Sequence, residues 1–211
     1  MPIRAFIFDF GGVLTSPLMG AFANFQADTG VTMEQLGVAM AAGTEQLDGA
    51  NPLFELECGR ITEDRFLDIL RDGLEPIMGE RPPLHRFKET YFDGLHPNRE
   101  MIELARELSA DHRMAILTNN VREWEPIWRA KLPVDEIFET VVDSAFVGMR
   151  KPDHAIYELT LERLDGIAAE ECLFIDDTEV NCDAARELGM RAVHFRDNAQ
   201  AIAEVRSALD E

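Results

Sequence analysis

Apolar positions along the chain follow two kinds of pattern, and the change between them divides the sequence. Ile3 to Phe8 is a short run of mostly apolar and aromatic residues, as expected of a strand buried on both faces. From Ser16 to about His96 the strand signals vanish and helical spacing takes over. Leu18, Phe22 and Phe25 fall on one helical face. Thr62 is placed to cap a helix with Glu63 and Asp64 in its first turn and Phe66, Leu67, Leu70 and Leu74 on its apolar side. Leu84, Phe87 and Tyr91 repeat at helical intervals, and Gly73, Pro76, Gly79 and Pro82-Pro83 punctuate the connections.

After Pro97 helices and strands alternate. Met101, Leu104, Ala105 and Leu108 make a helical stripe, followed by the apolar run Met114 to Leu117 and the shorter strand candidate Val141-Val142. Ile156, Tyr157, Leu161 and Leu164 predict a helix, and Cys172 to Ile175 a strand. Val180, Ala184 and Leu188 then mark a helix that Gly189 can end. Ala192 to Phe195 predicts a last strand, with Ile202, Val205 and Leu209 on a closing helix. The expected fold is α/β, a three-layer Rossmann-like parallel sheet built from residues 1–15 and 97–211. Residues 16–96 are expected to form a helical module inserted over or beside it.

Composition narrows the partners. A chain of 211 residues suits one large domain or a core with an insertion, and 46% hydrophobic with 28% charged residues describes an ordinary globular protein. The 40 acidic against 20 basic residues, a net charge of −20, argue against nucleic acid or an anionic membrane as the partner. A small anionic substrate stays open, because one lysine and a bound cation can reverse the field inside a pocket. Cys58, Cys172 and Cys182 show no CxxC spacing and read as reduced thiols. The N-terminal apolar run is too short for a signal peptide and no stretch has the length of a membrane span, so a cytoplasmic location is expected.

The chemistry sits where predicted strands run out. The first strand delivers Asp9, followed by Gly11-Gly12, which let the backbone turn sharply and approach a ligand. The second ends in Thr118-Asn119-Asn120 and the fourth in Asp176-Asp177-Thr178, with Asn181 one helical turn on. Lys151-Pro152 precedes the helix at 153–164. Taken singly, Thr118-Asn119-Asn120 reads as a cap and turn, and Lys151 as a solvated lysine. Adjacent Asp176 and Asp177 repel unless a cation or lysine lies between them. Parallel strands bring all these ends to one sheet edge, where they can converge into a site.

In this order the set resembles the haloacid dehalogenase superfamily. Asp9 to Thr15 carries the likeness to its first motif, Thr118-Asn119 to its second, Lys151-Pro152 to its third, and Asp176-Asp177 with Asn181 to its fourth. Val147 to Pro152 and Glu187 to Met190 are especially similar to the phosphatase domain of soluble epoxide hydrolases and its free-standing bacterial relatives. The resemblance implies that 16–96 is a C1-type cap domain, and that the protein is a Mg²⁺-dependent phosphatase of a small phosphorylated metabolite. It implies that Asp9 attacks phosphorus to form an aspartyl-phosphate, and that Thr118, Asn119 and Lys151 hold the phosphate. Asp9, the Gly11 carbonyl and Asp177 are then the metal ligands, with Asp176 a further ligand or support and Asn181 orienting Lys151.

One position departs from the pattern. The family's phosphatases carry a second Asp two residues after the nucleophile, and here Gly11 stands there. A general acid/base contributes roughly 10²–10⁴ in rate, so its loss should favour esters with good leaving groups, such as sugar 1-phosphates, acyl phosphates or aryl phosphates. Two other readings remain: a 2-haloacid dehalogenase, which needs no metal, and a weakly active phosphate-binding module that contacts a partner protein. Trp124 and Trp128 read as packing aromatics, and Phe22, Phe25 and Phe54 as either module core or a cover for substrate.

Overall fold

The computed structural model describes residues 1–210. Five parallel strands, β1 (Ala5–Phe8), β2 (Arg113–Thr118), β3 (Thr140–Asp143), β4 (Cys172–Asp176) and β5 (Arg191–His194), lie in the order β3-β2-β1-β4-β5. The sequence places this sheet's two faces by simple alternation. Phe6, Phe8, Met114, Ile116, Leu173 and Ile175 belong to one hydrophobic core, and Ala5, Ile7, Ala115, Leu117, Cys172 and Phe174 to the other. Both sets are buried, which explains why the strands read as continuous apolar runs.

Residues 18–93 supply no strand. They form α1 (Leu18–Thr29), α2 (Met33–Gln46), α3 (Pro52–Glu57), α4 (Glu63–Met78) and α5 (Phe87–Asp93). Thr62 caps α4 as expected, its hydroxyl accepting from the Arg65 amide. Thr32 and Gln35 form a reciprocal capping box at α2, with Val31 and Leu36 buried on either side of it in the manner of a hydrophobic staple. The remaining helices are α6 (Arg99–Leu108), α7 (Glu125–Lys131), α8 (Val134–Ile137), α9 (Ser144–Val147), α10 (His154–Arg163), α11 (Glu179–Glu187) and α12 (Asn198–Leu209). α6 and α12 bury Met101, Leu104, Ala201 and Val205 in the first core, whereas α10 and α11 bury Ile156, Tyr157, Ala184 and Ala185 in the second. The result is a three-layer arrangement, with the sheet covered on both faces.

The chain leaves the sheet layer and returns to it along one track. Thr15 pairs antiparallel with Pro97, the Ser16 amide donates to the His96 carbonyl, and the Asn98 amide donates to the Leu14 carbonyl. Trp124 is the main aromatic contact between the helices of 18–93 and the sheet layer. It packs on Phe87, Tyr91 and Phe92 at 4.9–5.9 Å between centroids, and its indole N–H donates to Glu63 at 2.8 Å. It lies in a short turn before α7, the helix that carries Trp128. Trp128 is fully buried against Phe10, 5.0 Å away.

Candidate active site

Strand register brings the predicted groups together. Phe8 pairs with Ile175 in β4, so Asp9 follows one step on, level with Asp176, and its amide donates to the Ile175 carbonyl at 2.8 Å. Thr118 closes β2, the neighbouring strand on the other side of β1. Beyond Asp9 the chain turns through Gly11 and Gly12, and Gly12 has φ +82°. A side chain at Gly12 would be strained by that angle and would also collide with the Asp177 carboxylate. The Gly12 amide donates to the buried Thr15 hydroxyl at 3.0 Å, and Asn98 donates to the Val13 carbonyl at 2.9 Å, fixing the turn from both ends.

Lys151 is the centre of the charge arrangement. It is buried, and its Nζ donates to Asp9 Oδ1 at 2.7 Å and to Asp176 Oδ2 at 2.6 Å. Burial alone would pull its pKa down, but Asp176 and Asp9 outweigh burial and hold the ammonium above its ordinary range. Asp176 is inaccessible and held further by the Thr178 amide at 2.8 Å and by Asn181 Nδ2 at 3.0 and 3.2 Å. Asn181 thus touches Asp176 rather than Lys151 itself, so any orienting of the lysine by Asn181 passes through Asp176. Tyr157 in turn donates to the Asn181 carbonyl at 2.8 Å. Asn119 does something its position in the chain does not announce: its side chain accepts from the Lys151 amide at 2.8 Å and donates to the Lys151 carbonyl at 3.0 Å. Both bonds clamp the lysine's backbone to the end of β2.

The negative charge exceeds what Lys151 can balance. Ligand oxygens of Asp9, Asp176 and Asp177 lie within 4.8 Å of one another. Burial, then Asp176 and Asp177, push the Asp9 carboxyl up to about 7 against the pull of Lys151. Asp177 is raised as well, first by burial and then by Asp176. An all-oxygen cluster with surplus charge is the donor set a hard divalent cation requires, so these residues fit a Mg²⁺ ion.

Above this floor lies a cavity of about 650 Å³ reached by Asp9, Thr118, Lys151 and Asp177. Its walls come from the helices of 18–93, including Phe22, Leu36, Met40, Phe54 and Tyr91. Glu57 and Arg150 also line it, paired at 2.7 Å, and the Arg150 guanidinium stacks 3.8 Å over the Phe54 ring. Burial raises the Glu57 pKa against the pull of Arg150. Neither Glu57 nor Arg150 is singled out by motif reading; an acid and an arginine 93 positions apart carry no shared local signal. Val180, placed by its spacing on the packed face of α11, is instead 55% exposed and lines the cavity.

The chain belongs to the haloacid dehalogenase-like hydrolases, whose family pattern matches residues 3–189. It is therefore a hydrolase. It is 29% identical over 214 residues to the sesquiterpene phosphatase astK of Aspergillus oryzae, a match covering 98% of this chain and 96% of that one. It is 25% identical to bifunctional epoxide hydrolase 2 of Rattus norvegicus, where 97% of this chain spans 38% of that protein's length. Among solved structures it resembles the family enzyme bt-2542 of Bacteroides thetaiotaomicron, with a TM-score of 0.70 and 26% identity over 93% of this chain and 95% of that one.

Proposed function

We propose that the protein is a Mg²⁺-dependent phosphoric monoester hydrolase acting on a small phosphorylated substrate, with residues 1–15 and 97–211 as its catalytic domain and 16–96 as its cap. The observation that carries this reading is the convergence of Asp9, Lys151, Asp176 and Asp177 at the floor of one cavity beside Thr118. The phosphatase names of relatives support it.

In this reading Asp9 is the nucleophile, using the carboxylate oxygen that Lys151 does not hold. That oxygen forms a bond to phosphorus as the ester P–O bond breaks, leaving an aspartyl-phosphate and the alcohol as its anion, which takes its proton from solvent. A water then attacks the same phosphorus and gives up a proton to solvent, the bond between phosphorus and the Asp9 oxygen breaks, and inorganic phosphate leaves with the carboxylate restored. Lys151 holds Asp9 in place and offers positive charge to the phosphate oxygens, while Thr118 and the Asn119 backbone donate to them. Asp9, the Gly11 carbonyl and Asp177 would hold Mg²⁺, with Asp176 in support; when bound, the ion neutralises phosphate charge that one lysine cannot. Position 11 offers no side chain to protonate the leaving oxygen, so esters with acidic leaving groups should react best. The three cysteines are buried and free, which suits a reducing compartment such as the cytoplasm. Among the described residues no helix is long and apolar enough to cross a membrane.

The test is phosphate release from 4-nitrophenyl phosphate with Mg²⁺ or with EDTA, beside Asp9→Asn. Release that needs Mg²⁺ and Asp9 supports the reading. Halide release from 2-haloacids, indifferent to EDTA and without phosphate release, would replace it with the dehalogenase reading.

A further inference from the structure

Resting on the phosphatase reading, we propose that the cavity beneath α1–α5 holds an uncharged, hydrocarbon-rich group of the phosphate ester, and that the preferred substrates are apolar phosphates rather than phosphorylated polyols. The cavity is polar at one end only. Its floor presents Asp9, Thr118, Lys151 and Asp177, whereas the wall contributed by residues 18–93 is aliphatic and aromatic. Among the described residues of that wall, Glu57 alone carries a charge, and Arg150 already engages it at 2.7 Å. A sugar seated there would leave most of its hydroxyls without partners, which costs more than its burial returns.

A second observation concerns the solvent side of the cavity. Met33, Leu53 and Phe54 are 47%, 38% and 42% exposed, and all three border this cavity. Large apolar side chains gathered at an opening mark a surface that is covered when occupied. The occupant is argued from continuity: the same cavity ends on the nucleophile, so what fills it is the part of the ester attached to the phosphate.

Gly37 stands at the cavity's exposed edge. It borders the cavity within α2, and no atom stands within 4 Å of where its Cβ would be. Gly37→Leu therefore fills space rather than colliding, and leucine is a better helix former than glycine.

The experiment separates the tail from the chemistry by holding the leaving group nearly constant. Phenyl, 4-ethylphenyl, 4-butylphenyl and 4-octylphenyl phosphate share an almost unchanged phenol acidity, and phosphotyrosine presents the same aryl ester with a charged tail. With Mg²⁺ present, kcat/KM should rise about fourfold per buried methylene until the cavity is full, with phosphotyrosine below phenyl phosphate. Gly37→Leu should end the rise at a shorter chain and lower the ratio of octylphenyl to phenyl turnover. A flat series, or phosphotyrosine equal to butylphenyl phosphate, would overturn the inference while phenyl phosphate turnover left the phosphatase reading standing. No release from any member, phenyl phosphate included, would overturn both. A rise that Gly37→Leu did not shorten would also count against it, by removing the cavity as the tail's location.

Discussion

The floor and the roof of the cavity are built on opposite physical terms. The floor holds three carboxylates and one ammonium; Asp9, Lys151 and Asp176 are buried and joined to one another by hydrogen bonds, and Asp177 stands half-buried beside them. The roof is apolar, drawn from helices that add nothing to the sheet, and several of its large side chains face the opening. Charge in the floor is expensive to bury and tolerates little displacement, so its geometry is over-determined. Contacts in the roof are non-directional, so residues there can be exchanged at modest cost. On the proposed function, bond-making falls to the floor and selection to the roof.

The sharpest way to break that division is to remove the proposed nucleophile. Asp9→Asn should lower phosphate release on the order of 10⁵-fold for every ester regardless of tail, with circular dichroism unchanged. Residual turnover that kept the tail preference at near wild-type rate would show that another group attacks phosphorus.

The next effect restores what the floor lacks. Gly11 has φ −74° and ψ 123°, angles any residue adopts, and the nearest atoms to a Cβ there belong to the Leu18 side chain, the first at 3.3 Å. Gly11→Asp therefore fits with a small shift of Leu18. It should accelerate esters with poor leaving groups roughly 10²-fold and leave 4-nitrophenyl phosphate nearly unchanged. If butyl phosphate gains nothing, the leaving oxygen already receives its proton from elsewhere, and the roof has a chemical part after all.

These two regions also differed in how far the sequence revealed them. Asp9, Thr118, Lys151 and Asp176 each stand beside a backbone signal, an apolar run that stops or a proline that begins a helix, and a parallel sheet carries such stops to one edge. Their bonding partners were less legible. Asn119 clamps the backbone of Lys151 from 32 residues away, and Asn181 reaches Asp176 rather than the lysine, because register between elements decides such pairs. The helices of the roof were visible as spacing, but their function was not. Phe25 is buried among the helices while Phe22 and Phe54 line the cavity, and all three obey the same hydrophobic periodicity. An apolar residue at helical intervals does not say whether its neighbour is protein or ligand.

A buried acid beside the floor but outside it shows the cost of charge without a partner. Asp143 ends β3 opposite Thr118, and burial pushes its carboxyl up to about 6 despite the hydrogen bond it accepts from the Ala145 amide at 3.0 Å. A carboxyl whose folded pKa lies above its unfolded value destabilises the fold when ionised. Stability tied to Asp143 should therefore be gained as pH falls through about 6 and be complete near 3.8. Relative to Asp143→Asn, the wild type should gain up to about 3 kcal/mol between pH 7.5 and pH 4 in urea unfolding. A difference that stayed constant with pH would mean that the carboxyl is not held in this state.

The smallest effect probes the roof where it meets solvent. Met33 is 47% exposed, borders the cavity, and occupies the first position of α2 after the Thr32 cap, so a polar residue of similar length costs the helix little there. Met33→Gln keeps the side chain's reach and removes its affinity for hydrocarbon. Half of that surface is already wet, so the loss should be roughly two- to threefold, well below that of a fully buried contact. It should fall on kcat/KM for 4-octylphenyl phosphate and spare phenyl phosphate, whose ring stays near the floor. An equal loss on both esters would place Met33's influence on the chemistry itself, and the division between floor and roof would then fail at its outermost residue.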